Sequence, residues 1–178
     1  MTTWIVLLRG INVGGHNRLP MKSLVADLES LGLTRVQTYI QSGNVVCDGP
    51  RAKPKVLAAT IAAAIERRRR FKPGVLLLRP GELRAAIDAN PFSTAAAQPQ
   101  SLHFFFLETA ARKPNRAGIE AAKSATEKYA LTNDVFYLYA PEGIGRSKLA
   151  ASLERLLGVA ATGRNHRTVE KLRALSER

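Results

Sequence analysis

The chain has 178 residues, 46% of them hydrophobic, and a formal net charge of +13 at neutral pH. That length supports one sizeable core or two small half-domains, and the apolar content excludes a disordered chain. No run reaches the ~18 apolar residues of a membrane-spanning helix, no basic leader precedes the first apolar run and no small-residue cleavage site follows it, so a cytoplasmic protein without a membrane partner is expected.

Residues 4–8 (WIVLL) read as a central strand. The loop that follows ends at Pro20, which suits the first turn of a helix because its missing N–H is not needed there. Met21, Leu24, Val25, Leu28 and Leu31 then fall at steps of three and four, and Gly32 is placed to cap them. Val36, Thr38 and Ile40 alternate with polar neighbours as a strand, Gln41–Asn44 turns, and Val45–Cys47 returns. Pro54 opens a helix with Leu57, Ile61, Ala64 and Ile65 inward, ending in the Arg67–Arg70 run, and Val75–Leu78 is a fourth strand. The order βαββαβ is a split βαβ unit of ferredoxin-like type.

A short helix over about 82–89 stops at Asn90-Pro91, and 91–100 (PFSTAAAQPQ) reads as a linker. The order then repeats: a strand at Leu102–Leu107, a helix at 115–124, and a hairpin of Lys128–Leu131 and Val135–Ala140. A helix from Arg146 to Leu157 capped by Gly158, a short strand at Val159–Thr162 and a last helix from His166 to Ser176 complete it. The fold class is therefore α+β, two tandem ferredoxin-like halves with antiparallel sheets and an extra C-terminal helix. The expected division is 1–80, a connecting helix and linker at 81–100, and 101–178. The repeat is one of topology, without residue-level identity.

The single cysteine, Cys47, sits in a strand and reads as a small core hydrophobe; no internal disulfide is possible. Three histidines and one cysteine show no ligand spacing for a structural zinc. The basic excess favours anionic ligands or polyanions, although Arg on solvated helix faces also accounts for it, and the Arg67–Arg70 run reads as mostly solvated.

Four polar motifs exceed what folding requires. In LRGINVGGHN, Gly10, Gly14 and Gly15 permit positive φ and close backbone approach, and Arg9, Asn12 and Asn17 add donors. Such a loop entering a helix can cradle an anion, but neither known nucleotide fingerprint is present, and the plainer reading is a wide turn whose Asn side chains satisfy its own backbone. In QSGN, a hairpin turn with Gly43 or Asn44 at positive φ explains those two residues, and leaves Gln41 and Ser42 less well explained. In GRSK, Arg146, Ser147 and Lys148 occupy a first helical turn, where cations oppose the helix dipole unless an anion binds. Asn165 reads as an N-cap, and Arg164 beside it needs more explanation.

These segments, as LLRGINVGGHNRLPM, TYIQSGNVV, GRSKL and RNHRTVEKL in that order, resemble the bacterial proteins grouped as domain of unknown function 1697, over nearly the whole chain. The resemblance implies an α+β fold of two similar ferredoxin-like halves and no reaction or cofactor. One departure is visible: the family typically carries Trp after the Arg-Asn pair, and this chain has His166.

No catalytic set stands out: no His adjoins a nucleophile in sequence, the motifs lack paired carboxylates, and His103, within a strand, reads as packed rather than as a base. The expectation is recognition of an anionic small ligand, a nucleotide or phosphorylated metabolite, by Arg9, Gly10, Asn12, Gly14, Gly15, Asn17, Gln41, Ser42, Asn44, Arg146, Ser147, Lys148, Arg164 and Asn165. A nucleic-acid-binding module using the basic surface is the second reading, and a protein-interaction scaffold the third. The strand aromatics Phe104–Phe106, Phe136, Tyr137 and Tyr139 suit core packing better than base stacking. The sequence does not fix the oligomeric state.

Overall fold

The computed structural model describes residues 1–92 and 98–177, so the middle of the expected 91–100 linker lies outside the described residues. The chain divides into two compact units, Met1–Arg84 with Lys171–Arg178, and Ala85–Glu170.

The first unit is built from β1 (Thr2–Arg9), α1 (Met21–Glu29), β2 (Thr34–Tyr39), β3 (Asn44–Gly49), α2 (Pro54–Arg69) and β4 (Gly74–Leu78). The four strands form one antiparallel sheet in the order β2-β3-β1-β4, the ferredoxin-like arrangement. β1 is central, and its apolar run is uninterrupted because both faces are covered. Trp4, Val6 and Leu8 pack into a cluster with Leu24 and Leu28 of α1 and with Leu57, Ile61 and Ile65 of α2. Ile5 and Leu7, on the opposite face, are equally buried. Cys47 belongs to the same cluster as Trp4, and burial pushes its thiol up to about 12, so it packs and does not ionise.

The helices are tied to each other by charge as well. Asp27 of α1 is 2% exposed and accepts from Arg68 Nη1 at 2.7 Å and, more loosely, from Arg69 at 3.4 Å. The arginine run is therefore not simply solvated: two of its four members clamp a buried carboxylate, because α2 is long enough to carry its last turn past α1. At the sheet edge, Arg35 takes a positive φ of 49° where the β2–β3 register shifts, and its guanidinium pairs with Asp48. That irregularity leaves β2 a poor template for another strand.

The second unit repeats the plan with β5 (Leu102–Leu107), α4 (Arg116–Ala122), β6 (Lys128–Leu131), β7 (Val135–Tyr139), α5 (Lys148–Leu157) and β8 (Ala161–Asn165), in the sheet order β6-β7-β5-β8. Two further helices, α3 (Pro80–Asp88) and α6 (His166–Ser176), carry the chain across the unit boundaries. The core under the sheet gathers Leu107, Phe136 and Leu138 with Ile119 of α4 and Leu149, Leu153 and Leu156 of α5.

Two boundaries that bear on the candidate residues differ from the sequence reading. β8 runs from Ala161 to Asn165 and not over 159–162: Gly158, at φ 70°, ends α5, Glu154 Oε1 accepts the Ala161 N–H at 2.8 Å, and the β5 ladder then runs from Leu107↔Ala161 to His103↔Asn165. Arg146 is not in the first turn of α5 either. It closes a 3-10 turn (Ile144–Arg146), Ser147 is the N-cap, accepting the Ala150 N–H at 3.0 Å, and Lys148 is the first helical residue. Among the described residues no helix is long and apolar enough to cross a membrane.

Candidate functional site

The end of β1 and the start of β3 lie at one end of the first sheet, since Leu7 pairs with Asn44. The first two motifs therefore meet. Residues 10–19 form a miniature hairpin rather than an open cradle. Val13 and His16 are bridged, the His16 N–H bonds Val13 O at 3.0 Å, and Gly14 and Gly15 at φ 58° and 79° make the two-residue turn between them. Asn12 fastens its base: Nδ2 donates to Leu19 O at 2.9 Å and Gln41 O at 2.8 Å, and Oδ1 accepts the Leu19 N–H at 2.8 Å. Asn17 donates to Gly10 O at 2.8 Å. Both asparagines sit at positive φ, 53° and 50°, a conformation Asn tolerates better than most residues.

The QSGN turn is as tightly specified. Gly43 (φ 76°) gives its carbonyl to the Leu8 N–H at 2.8 Å, and a Cβ there would lie 2.7 Å from Leu8 Cβ. Gly43 therefore supplies the positive φ expected of Gly43 or Asn44, and Ile40 adds a second at 49°. Asn44 is fully buried, and its amide donates to Tyr39 O at 3.0 Å and Ser42 Oγ at 2.8 Å. Arg9 lies across Gly74, where a Cβ would come within 2.9 Å of its Nε. Asn12, Asn17 and Asn44 thus hold the backbone that surrounds them. This end of the unit also exposes two large apolar side chains, Val13 at 70% and Ile40 at 52%, beside the exposed His16, Asn17, Arg18, Gln41 and Ser42.

The third motif borders a cavity of about 260 Å³ in the second unit, lined by Lys123, Ser124, Glu127, Glu142, Gly143, Arg146, Ser147 and Lys148 together with small alanines. It sits where the C-terminus of α4, the turn into β6, the end of β7 and the entry to α5 converge. Among the described residues none of the Lys123, Arg146 and Lys148 side chains is ion-paired or hydrogen-bonded. Ser147 is buried and its hydroxyl oxygen is already spent on capping α5. Lys123, Ser124, Glu127 and Glu142 escaped the sequence reading because nothing in their spacing marks them; only the folding of α4 beside α5 assembles them.

The fourth motif is elsewhere in that unit. Arg164 and Asn165 close β8, an edge strand, and do not line the cavity. Asn165 Oδ1 accepts the Thr168 N–H at 2.9 Å as the N-cap of α6. Arg164 donates to Gly163 O at 2.8 Å, and burial brings its pKa down to about 10, which still leaves it cationic at neutral pH. His166 stacks on Phe104, centroids 5.8 Å apart and planes 20° apart, so the position that carries Trp in the resemblance still carries a ring against a ring. Phe104, Phe106, Phe136 and Tyr137 are buried, and Tyr137 donates to Ala86 O at 2.7 Å; packing consumes the strand aromatics. His103 is packed too, 8% exposed in a central strand, with no hydrogen bond to Nδ1.

Over residues 1–137 the chain matches the family described as Protein of unknown function (DUF1697). The match ends before Glu142, Arg146 and Lys148. No curated protein matches. Among solved structures, the conserved bacterial protein SP0830 from Streptococcus pneumoniae is similar, with 23% identity and a TM-score of 0.76, covering 100% of this chain and 99% of that one. At that identity the likeness speaks for the fold.

Proposed function

We propose that this chain, which belongs to the DUF1697 family, binds a small anionic metabolite, and that the binding site is the cavity at the entry to α5. The observation that carries this reading is the set of three cations, Lys123, Arg146 and Lys148, facing one concave space without a carboxylate partner among the described residues. Like charges gathered around one cavity repel each other, and an anion reverses that penalty. Arg146 offers a planar fork to phosphate or carboxylate, and the two lysines offer point charges. The volume, about 260 Å³, lies below the ~300–1,000 Å³ of pockets for drug-sized ligands, which favours a phosphorylated metabolite over an intact nucleotide. The hairpin of residues 10–19 and the QSGN turn have a different part in this reading: they brace the end of the first sheet.

Thermal unfolding of wild type and Arg146→Ala/Lys148→Ala with ethyl phosphate, and with short RNA and DNA, at low and moderate salt tests the proposal. Stabilisation by ethyl phosphate that persists at moderate salt and disappears in the double variant is expected. Stabilisation by oligonucleotides alone, lost as salt rises, would move the function to polyanion binding on the basic surface.

A further inference from the structure

Resting on that reading, we infer that the ligand is dipolar, a small molecule with a phosphate or comparable anion at one end and an ammonium at the other. The same cavity is lined by two carboxylates, Glu127 and Glu142, and neither is paired with Lys123, Arg146 or Lys148 among the described residues. Opposite charges on flexible side chains around one small space ordinarily find each other. Here neutral donors hold the carboxylates back. Glu127, 5% exposed, accepts the Ser124 N–H at 2.9 Å, and Glu142 accepts the Thr126 hydroxyl at 2.7 Å. The Ser124 and Thr126 hydroxyls lie 3.2 Å apart, which joins both anchors in one turn. The cavity is left lined by acidic and basic side chains that are not paired with one another among the described residues.

Ser147 caps α5 through the Ala150 N–H, and the helix end alone does not distinguish one anion from another. The side chains decide the chemistry. Three cations less two carboxylates leave +1 around the cavity. A dianionic phosphate carrying one ammonium has charge −1 and balances it. A plain phosphate ester compensates the three cations and leaves the two carboxylates without a counter-charge.

Isothermal titration with O-phosphoethanolamine and ethyl phosphate, which share the anion and differ in the ammonium, separates these cases. Expected is about tenfold tighter binding of O-phosphoethanolamine, as a charge-assisted contact implies, with the preference lost in Glu142→Gln and both ligands lost in Arg146→Ala/Lys148→Ala. Glu142 is exposed, so its amide variant is expected to melt as wild type does, and this is checked alongside. Equal or tighter binding of ethyl phosphate to wild type overturns the dipolar ligand and leaves the anion pocket standing. Binding of neither compound overturns both.

Discussion

Asn12 concentrates the energetics of the first hairpin. Its amide makes three hydrogen bonds, to Leu19 twice and to Gln41, and its backbone lies at φ 53°. Asn12→Ala is expected to lower the unfolding free energy by about 2–3 kcal/mol, combining lost bonds with an unfavourable φ. Asn12→Gly removes the bonds and keeps the φ accessible, so urea titration of both variants should place Gly between wild type and Ala. His103 answers to pH instead. Burial lowers its pKa below the ordinary 6.5, with the Ser101 backbone opposing weakly. The folded protein therefore binds this proton less readily than the unfolded chain does. The stability this contributes is complete above pH 6.5 and is lost as pH falls below that toward the folded pKa. In His103→Leu the melting temperature should decline less steeply than in wild type as pH is lowered through that window; parallel declines would contradict the assignment.

Elements were legible where one physical signal dominated. WIVLL announced a central strand, and the steps of three and four in Met21–Leu31 announced α1. β8 was obscured because its core-defining feature is an absence. A Cβ on Gly163 would come within 2.7 Å of the Phe105 ring, so glycine is needed for that close approach, and its polar neighbours Arg164 and Asn165 read as a ligand contact and a helix N-cap. Gly163→Ala is expected to destabilise by about 1–3 kcal/mol, measured by urea unfolding, since the ring or the edge strand must move. The Asp27 clamp was illegible for a different reason: it needs two helices 41 positions apart in the chain to pack before Arg68 can reach the carboxylate. Asp27→Ala should weaken α1–α2 packing by about 1–3 kcal/mol in the same assay, short of a fully buried pair because the Arg68 and Arg69 side chains remain 49% and 32% exposed. The four polar motifs were visible as sequence, but whether a polar group braces a turn or faces a cavity depends on its partners. Asn12 and Asn44 proved braced, Arg146 and Lys148 border a cavity, and the carboxylates opposite them carried no sequence signal.

At the scale of the whole molecule, +13 is a large self-repulsion for 178 residues. Added sodium chloride screens it, so the melting temperature at neutral pH is expected to rise from low to moderate salt before any ligand is considered. Flat or falling melting curves would show that local ion pairs such as the Asp27 clamp outweigh the net charge. The grouping of residues 171–178 with the first unit has a consequence for how the molecule is made. This segment carries the buried Leu172 and Leu175, and Glu177 lies 3.6 Å from Arg84. A ribosome produces it only after every residue of the second unit. The unit that emerges first is therefore completed last, and during synthesis it waits, with its sheet already translated, for a piece that has yet to leave the exit tunnel.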